Sequence, residues 1–374
     1  LPLASVRAIG HYMGGGFGAK LQAGKYTVIS AILARKTACP VKIMLTREEC
    51  LLGVGNRPPA NMRIKAGVTR DGTLTALEFS STSTAGAYPG GGAGLLDWLV
   101  KDLYSCPNIK TDNRLYFTNT GPSRPMRAPG HPQGSWALAQ MMAALAEAID
   151  MDPVELRLKN VPAVSQARGG QPYTTTGLRE CLVEGAKAFG WQEARNASPG
   201  RGHIRRGVGV AAATWVVGGG SPPSTIIVKL FADGSANLNM GASDIGTGTK
   251  TAMAMIASEE LGVPVDRIQI EHADTATTQY ATSSGGSKTI PTESPAARAA
   301  AYEVKRQLLE IAAEELEVAP SDIVLEGGEV VPRSDPSSRT AIYRLGGFQR
   351  RGVIVGVGYR GPNPEDKTVN PFAA

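Results

Sequence analysis

Two stretches of this chain alternate apolar and polar residues on either side of an Asp-Gly dipeptide: Arg63 to Ala85 around Asp71-Gly72, and Ser224 to Met240 around Asp233-Gly234. A period of two flanking a dipeptide that tolerates positive φ predicts a β-hairpin in each case, with Ser224–Phe231 and Ala236–Met240 as the strands of the second. Val41-Lys42-Ile43-Met44-Leu45-Thr46 alternates in the same way and predicts a strand stopped by Arg47-Glu48-Glu49. Further strands are predicted at Ser5–Ile9 and Val208–Ala213. Elsewhere helical spacing takes over. Tyr26 to Ala34 predicts a buried helix, Gly134 to Ile149 the clearest helix, and Asp152-Pro153 opens another through Leu158 with proline in its first turn. Leu178 to Phe189 reads as a short amphipathic helix, and Thr251 to Leu261 as a helix ended by Gly262.

The intervening segments are of a different kind. Gly86 to Gly94, with Pro89 and five glycines, predicts an irregular surface loop; residues 160–177 are rich in Pro, Gly, Gln and Thr and predict a linker; Asn196 to Arg206 is a polar, basic loop. Helices and strands mix in both halves, which is an α+β fold class. The 374 residues exceed what one hydrophobic core usually serves. The expected division is a first domain at 1–165, a linker with a short helix at 166–205, and a second domain at 206–374.

Composition narrows the function classes. Hydrophobic residues at 42% and charged residues at 19% are those of a globular protein. The 45 glycines stand out against the usual share of about 7% and imply many tight turns or close backbone approaches. The net charge of +6 is scattered, with no dense basic run interleaved with aromatics, so a phosphate-rich small ligand accounts for it better than nucleic acid. No apolar run reaches 18 residues, so no membrane span is expected. Leu1 to Arg7 lacks the features of a signal peptide, and the chain stops at Val369–Ala374 without a closing helix or charged tail; a central piece of a longer subunit is expected. Cys39, Cys50, Cys106 and Cys181 lack metal-ligand spacing and read as buried free thiols, and the four histidines form no cluster. No protein metal site is predicted, so a metal would have to come held by a cofactor.

Candidate chemistry lies in four glycine-rich stretches: Gly14-Gly15-Gly16-Phe17-Gly18-Ala19-Lys20, Arg127-Ala128-Pro129-Gly130, Asp244-Ile245-Gly246-Thr247-Gly248-Thr249, and Ser283-Ser284-Gly285-Gly286-Ser287. Each offers consecutive backbone N–H groups with little side-chain obstruction, suited to an anionic cofactor threaded between loops. The third is the sharpest, because strand, Gly-Thr loop and helix N-terminus together make an anion site. The alternative there is an ordinary capped turn, with Thr247 or Thr249 satisfying the helix start. The loop is neither a Walker loop nor a dinucleotide fingerprint. Lys250, which follows it, either pairs with a phosphate or faces solvent.

These stretches, together with Leu45-Thr46-Arg47-Glu48-Glu49, the run Met151 to Asn160, Glu260-Leu261-Gly262-Val263-Pro264 and Asp274-Thr275, occur in the order found in the xanthine dehydrogenase and aldehyde oxidase family. The chain resembles the molybdopterin-binding subunit of that family, in its bacterial aldehyde-oxidoreductase-like branch. The resemblance implies two mixed α/β molybdopterin-binding domains with a cofactor cleft between them. It implies a molybdenum-pyranopterin, possibly in its cytosine dinucleotide form, that carries the metal on its own dithiolene. Gly15, Gly16, Phe17, Gly18 and Ala128 would approach the cofactor. Gly246, Thr247, Gly248, Thr249, Ser283, Ser284, Gly285, Gly286 and Ser287 would hold the pterin and its phosphates. Arg127 takes the position of the active-site arginine; its alternative is a structural arginine in a Pro-Gly turn.

The activity implied is oxidation of aldehydes or N-heterocycles with water as the oxygen source and a glutamate as general base. Electrons would leave through iron–sulfur clusters and FAD on partner subunits, since no cysteine set here could ligate a cluster. The compartment implied is the cytoplasm, with the periplasm as alternative. The chain departs from the family in several places. The Val-Gly-Glu that carries the catalytic glutamate is absent, and Glu326 and Glu329 read as surface carboxylates, so this chain alone is expected to be inactive. Ala143, Ala144 and Met255 replace polar residues common in the family, and His131 reads as a partly exposed loop histidine. The competing expectation is a non-catalytic or degenerate scaffold subunit.

Overall fold

The computed structural model describes residues 1–88, 96–173, 176–197, 200, 202–216 and 223–361, and the backbone of 371–373. Its packing forms two compact units: residues 17–217 with 366–374, and residues 1–16 with 218–365. The first sixteen residues therefore pack with the second half of the chain.

The first unit begins with α1 (Lys25–Thr37) and α2 (Arg47–Gly53). The helical spacing at Tyr26–Ala34 is realised in α1, but its predicted burial is not: no residue of α1 is buried, and Val28, Ile29, Ile32 and Leu33 are exposed. The strand predicted at Val41–Thr46 is not formed either. Thr46 instead closes a reciprocal capping box with Glu49, so Arg47-Glu48-Glu49 starts a helix rather than ending a strand.

The first hairpin is present as β1 (Ala60–Val68) and β2 (Leu74–Gly86), with Gly72 at φ +87° in its turn. After α3 (Leu96–Asp102), β3 (Ile109–Phe117) adds parallel to β2, giving the order β1-β2-β3. The alternate residues Leu77 and Phe79 of β2 pack with Leu99 of α3 and with Leu138 and Met142 of α4 (His131–Ala148). Full burial of each such side chain stabilises by roughly 1.5–3 kcal/mol. Asp152 caps α5 (Pro153–Lys159), and Asn160 then ties α5 to the hairpin turn, donating to the Gly72 carbonyl and accepting from Leu74 N–H.

The predicted linker holds a short ladder, β4 (Val164–Ser165) with β5 (Gln171–Pro172), pinned by Ser165 and Ala167 bonds to Asp102. Next come α6 (Leu178–Phe189) and α7 (Trp191–Asn196). Val208–Ala213 joins no ladder; pairing starts later, at β6 (Thr214–Val216). Most of the predicted Gly86–Gly94 loop lies outside the described residues. The buried-thiol expectation holds for Cys106 alone, since Cys39 and Cys181 are exposed and Cys50 is half-buried.

In the second unit, β7 (Ser224–Phe231) and β8 (Ala236–Met240) form the second predicted hairpin. Then α8 (Thr249–Leu261) crosses to β9 (Ile268–His272), which runs parallel to β8. The long α9 (Thr289–Leu316) follows, then the β10 (Ile323–Glu326) and β11 (Glu329–Pro332) hairpin with β12 (Thr340–Ala341) alongside, α10 (Gly346–Arg351) and β13 (Val353–Arg360). The main sheet has the order β13-β7-β8-β9. Its Ile226, Val228, Leu230, Leu238 and Met240 meet α8 and an alanine stripe on α9, Ala296, Ala297, Ala300 and Ala301. The approach is close enough that a Cβ at Gly356 or Gly358 would overlap the carbonyl oxygens of Ala300 and Ala296. Glu326 and Glu329 flank the β10–β11 turn and pair with Arg339 on the surface, as solvated carboxylates should. The final strand, β14 (Pro371–Ala373), belongs to the first unit and pairs antiparallel there with β6.

Candidate functional site

In the first unit the chain leaving β3 runs back past the end of β2. Ser123 N–H donates to the Ala85 carbonyl at 3.0 Å and Arg124 N–H to Asn56 at 2.9 Å, which sets the entry to the Arg127 motif. The motif then meets the first glycine stretch: Arg127 N–H donates to the Phe17 carbonyl at 2.6 Å. A Cβ on Gly18, whose φ is +102°, would come within 2.8 Å of the Pro125 carbonyl oxygen, so that position tolerates no side chain. Arg57 braces the motif from outside, its guanidinium donating to the carbonyls of Arg127 (2.7 Å) and Ala128 (3.4 Å); burial lowers its pKa. The Arg127 side chain is exposed and makes no hydrogen bond or ion pair among the described residues, which leaves a forked donor for a carbonyl, carboxylate or ring nitrogen.

His131 corrects its predicted exposure. As the first residue of α4 it is 4% exposed, its Nδ1 lies 3.1 Å from the Pro129 carbonyl, and its ring meets Trp215 edge-on at 4.7 Å. A carbonyl only accepts, so Nδ1 carries the proton. Burial lowers its pKa, against the hydrogen bond to Pro129, which acts the other way.

In the second unit residues 7–10 clip onto Ala273–Thr275. Arg7 pairs with the Asp274 carboxylate, Ala8 N–H donates to Thr275 Oγ1 at 2.9 Å, and Gly10 N–H to the Ala273 carbonyl at 2.8 Å. Rather than the predicted strand at Ser5–Ile9, there is a short helical turn at Leu3–Ser5 and one bridge from Ile9 to Asp274. A Cβ at Gly10 or Gly16 would stand 3.1 Å from Ser243 Oγ or 3.9 Å from Ile245 Cδ1, so the start of the first glycine stretch lies against the loop after β8.

That loop is organised from within. The Asp244 carboxylate accepts the N–H groups of Gly246 (2.9 Å), Thr247 (3.1 Å), Gly248 (3.3 Å) and Lys250 (3.1 Å). Burial alone would raise its pKa, but the four amides outweigh this and hold it below the usual carboxylate range. Thr247 and Thr249 hydroxyls lie 3.3 Å apart at the start of α8. Ser283–Ser287 belongs to the same unit and leads into α9, turning through Gly286 (φ +67°) and Ser287 (φ +56°).

Backbone strain marks these loops. Among the described residues seven non-glycines have positive φ. Ala38, Asp150 and Glu317 follow helices, where a left-handed residue is a common stop. Of the other four, Phe17, Ala128 and Ser287 fall in the candidate stretches and Ala273 accepts from Gly10 N–H, and strained residues of this kind gather at ligand clamps. A cavity of about 570 Å³ lies beside α4 and α5, lined by Trp136, Arg157 and Trp191 and by no candidate residue.

Sequence alone does not single out Arg57, His272 or Ala273. Arg57 is a lone arginine before Pro58-Pro59, without pattern, whereas His272-Ala273 at least adjoins Asp274-Thr275.

Family models described as molybdopterin cofactor-binding domains match the chain over residues 1–161 and 184–373. The chain is 32% identical over 343 residues to the putative xanthine dehydrogenase molybdenum-binding subunit XdhA of Escherichia coli K12, covering 88% of this chain and 45% of that protein. It is 34% identical over 285 residues to the aldehyde oxidoreductase molybdenum-binding subunit PaoC of the same strain, covering 74% of this chain and 37% of that protein. The chain thus spans under half the length of these two relatives. The solved structure of reconstituted CO dehydrogenase from Oligotropha carboxidovorans aligns with a TM-score of 0.82 at 23% identity, over 99% of this chain and 50% of that one, a likeness of fold.

Proposed function

This chain belongs to the molybdopterin cofactor-binding family, matched in both halves, and from that premise we propose that it is the cofactor-holding core of a molybdenum hydroxylase. The substrates in this reading are aldehydes or N-heterocycles, oxidised with oxygen from water, the chemistry suggested by relatives named as xanthine dehydrogenase and aldehyde oxidoreductase subunits. In this reading the first domain is 1–165, the linker with its short helix 166–205 and the second domain 206–374.

The observation that carries the reading is the hydrogen bond from Arg127 N–H to the Phe17 carbonyl, between two loops that each hold a left-handed non-glycine residue. Such loops suit a bulky anion better than an ordinary turn does, because strain persists only where the surroundings impose it. The bound cofactor supplies the molybdenum and its redox chemistry. Gly15, Gly16, Phe17, Gly18 and Ala128 line its approach; Gly246, Thr247, Gly248 and Thr249, with Ser283, Ser284, Gly285, Gly286 and Ser287, flank the pterin and its phosphate end. Arg127 orients the substrate carbonyl or ring nitrogen and stabilises the charge that develops there.

The general base is not supplied by this chain, which is inactive alone, and iron–sulfur and FAD subunits are its partners in the cytoplasm. Metal and pterin analysis of a complex co-expressed with such partners tests this, with stoichiometric molybdenum as the expected result. Molybdenum at background would reject the reading in favour of a degenerate scaffold.

A further inference from the structure

The turn before α8 cannot offer its amides to a ligand while Asp244 holds them. The N–H groups of Gly246, Thr247, Gly248 and Lys250 all donate to that one carboxylate, so the positive end of α8 is answered by the chain's own charge. The cations around the same turn are not matched in this way. Lys250, second residue of α8 and half-buried, forms no ion pair among the described residues, and its ammonium stands 5.9 Å from the Tyr12 ring.

His272 ends β9 beside Met240, the end of β8, so it sits where the chain turns toward α8. It is 6% exposed, and its Nδ1 has no hydrogen-bond partner. His11 lies against it, ring centroids 5.6 Å apart. Burial first, and then the charges of Lys250 and His11, lower the His272 pKa, while Asp244 and Glu271 act the other way. His11 lies against His272 and its neighbour Tyr12 lies under the Lys250 ammonium, so residues 11–12 bring Lys250, His11 and His272 to one place. A buried polar atom without a partner is rare enough in folded proteins to call for one.

We propose that Lys250, His272 and His11 form a side-chain anion site for a phosphate ester or pyrophosphate group, with Asp244 filling the amide nest in place of the ligand. The inference rests on the cofactor-holding reading only for the source of that group. A lysine ammonium supplies a compact charge, and two imidazoles donate directed hydrogen bonds, which together suit a tetrahedral oxyanion.

Inorganic pyrophosphate titrated into the full 374-residue chain at low salt, followed by calorimetry, is the test. Lys250→Met and His272→Gln should each weaken binding about tenfold, the size expected for loss of a hydrogen bond to a charged group, whereas Lys250→Arg should retain it within about threefold. Lys250 is half-buried, so Lys250→Met decides the matter even where His272→Gln fails to fold, as judged by circular dichroism. No binding by the unaltered chain, or both variants binding as tightly as it does, overturns the site. Molybdenum content of the co-expressed complex reports on the cofactor reading separately.

Discussion

The Phe17 carbonyl accepts the Arg127 amide at 2.6 Å, and the residues at or beside this junction, Phe17 and Ala128, both sit in left-handed backbone, at φ +53° and +56°. An isolated chain avoids that conformation at a residue with a Cβ by roughly 1–2 kcal/mol, so the packing of Arg57 and Gly18 around the junction holds it in place.

Ala128→Gly should therefore not destabilise the protein and should raise its unfolding free energy by up to about 1 kcal/mol. Ala128→Val should lower it by about 2 kcal/mol, since a β-branched side chain suits positive φ least. Urea unfolding of the two variants checks this; a loss in the glycine variant would show that the residue is not strained.

Arg127→Ala, in a full-length enzyme reconstituted with iron–sulfur and FAD subunits, should lower turnover by about 10² or more while molybdenum content stays constant. Steady-state kinetics beside metal analysis separate the outcomes. Unchanged kinetics would leave the residue a structural part of its turn.

Gly358→Ala places a methyl against the Ala296 carbonyl, between β13 and α9. Backbone cannot yield as a flexible side chain does, so the expected loss is about 3 kcal/mol, at the upper end of overpacking. Gly327→Ala in the β10–β11 turn has open space around its Cβ and should cost less, its penalty limited to the left-handed φ. A denaturant series comparing the two is sufficient; equal losses would refute the close approach.

His131 and His272 both have pKa values below the ordinary value of about 6.5. As pH falls through that value the unfolded chain takes up protons that the folded chain does not, so stability present above about pH 6.5 declines below it until the folded rings also protonate. Urea midpoints at pH 7.5 and 5.5 should show the fall, and His131→Gln should make it shallower. A slope identical in the variant would exclude His131 as a contributor.

Local chemistry was enough wherever a few neighbouring residues dictate the outcome. Both Asp-Gly hairpins, the Asp152 cap on α5 and the Gly262 stop of α8 were legible because each depends on φ preference or a cap within a few positions. Thr46 misled for the same reason: its alternating neighbourhood suggested a strand, yet a strand needs a partner, and the capping box with Glu49 needed none. The long α9 was not legible, because its buried face is mostly alanine and it contains Pro295, so neither periodicity nor propensity advertises it.

From the sequence by itself came the family, the order of the glycine-rich stretches, the mixed fold class and the nomination of Arg127, all properties of residue identity and spacing. Only the tertiary structure decided that residues 1–16 pack with the second half, that Arg57 braces the Arg127 turn, and that Asp244 fills the amide nest before α8. Each of these sets a backbone group against a side chain or a distant segment, and the direction in which an amide points is fixed by dihedral angles and packing that no string of letters records.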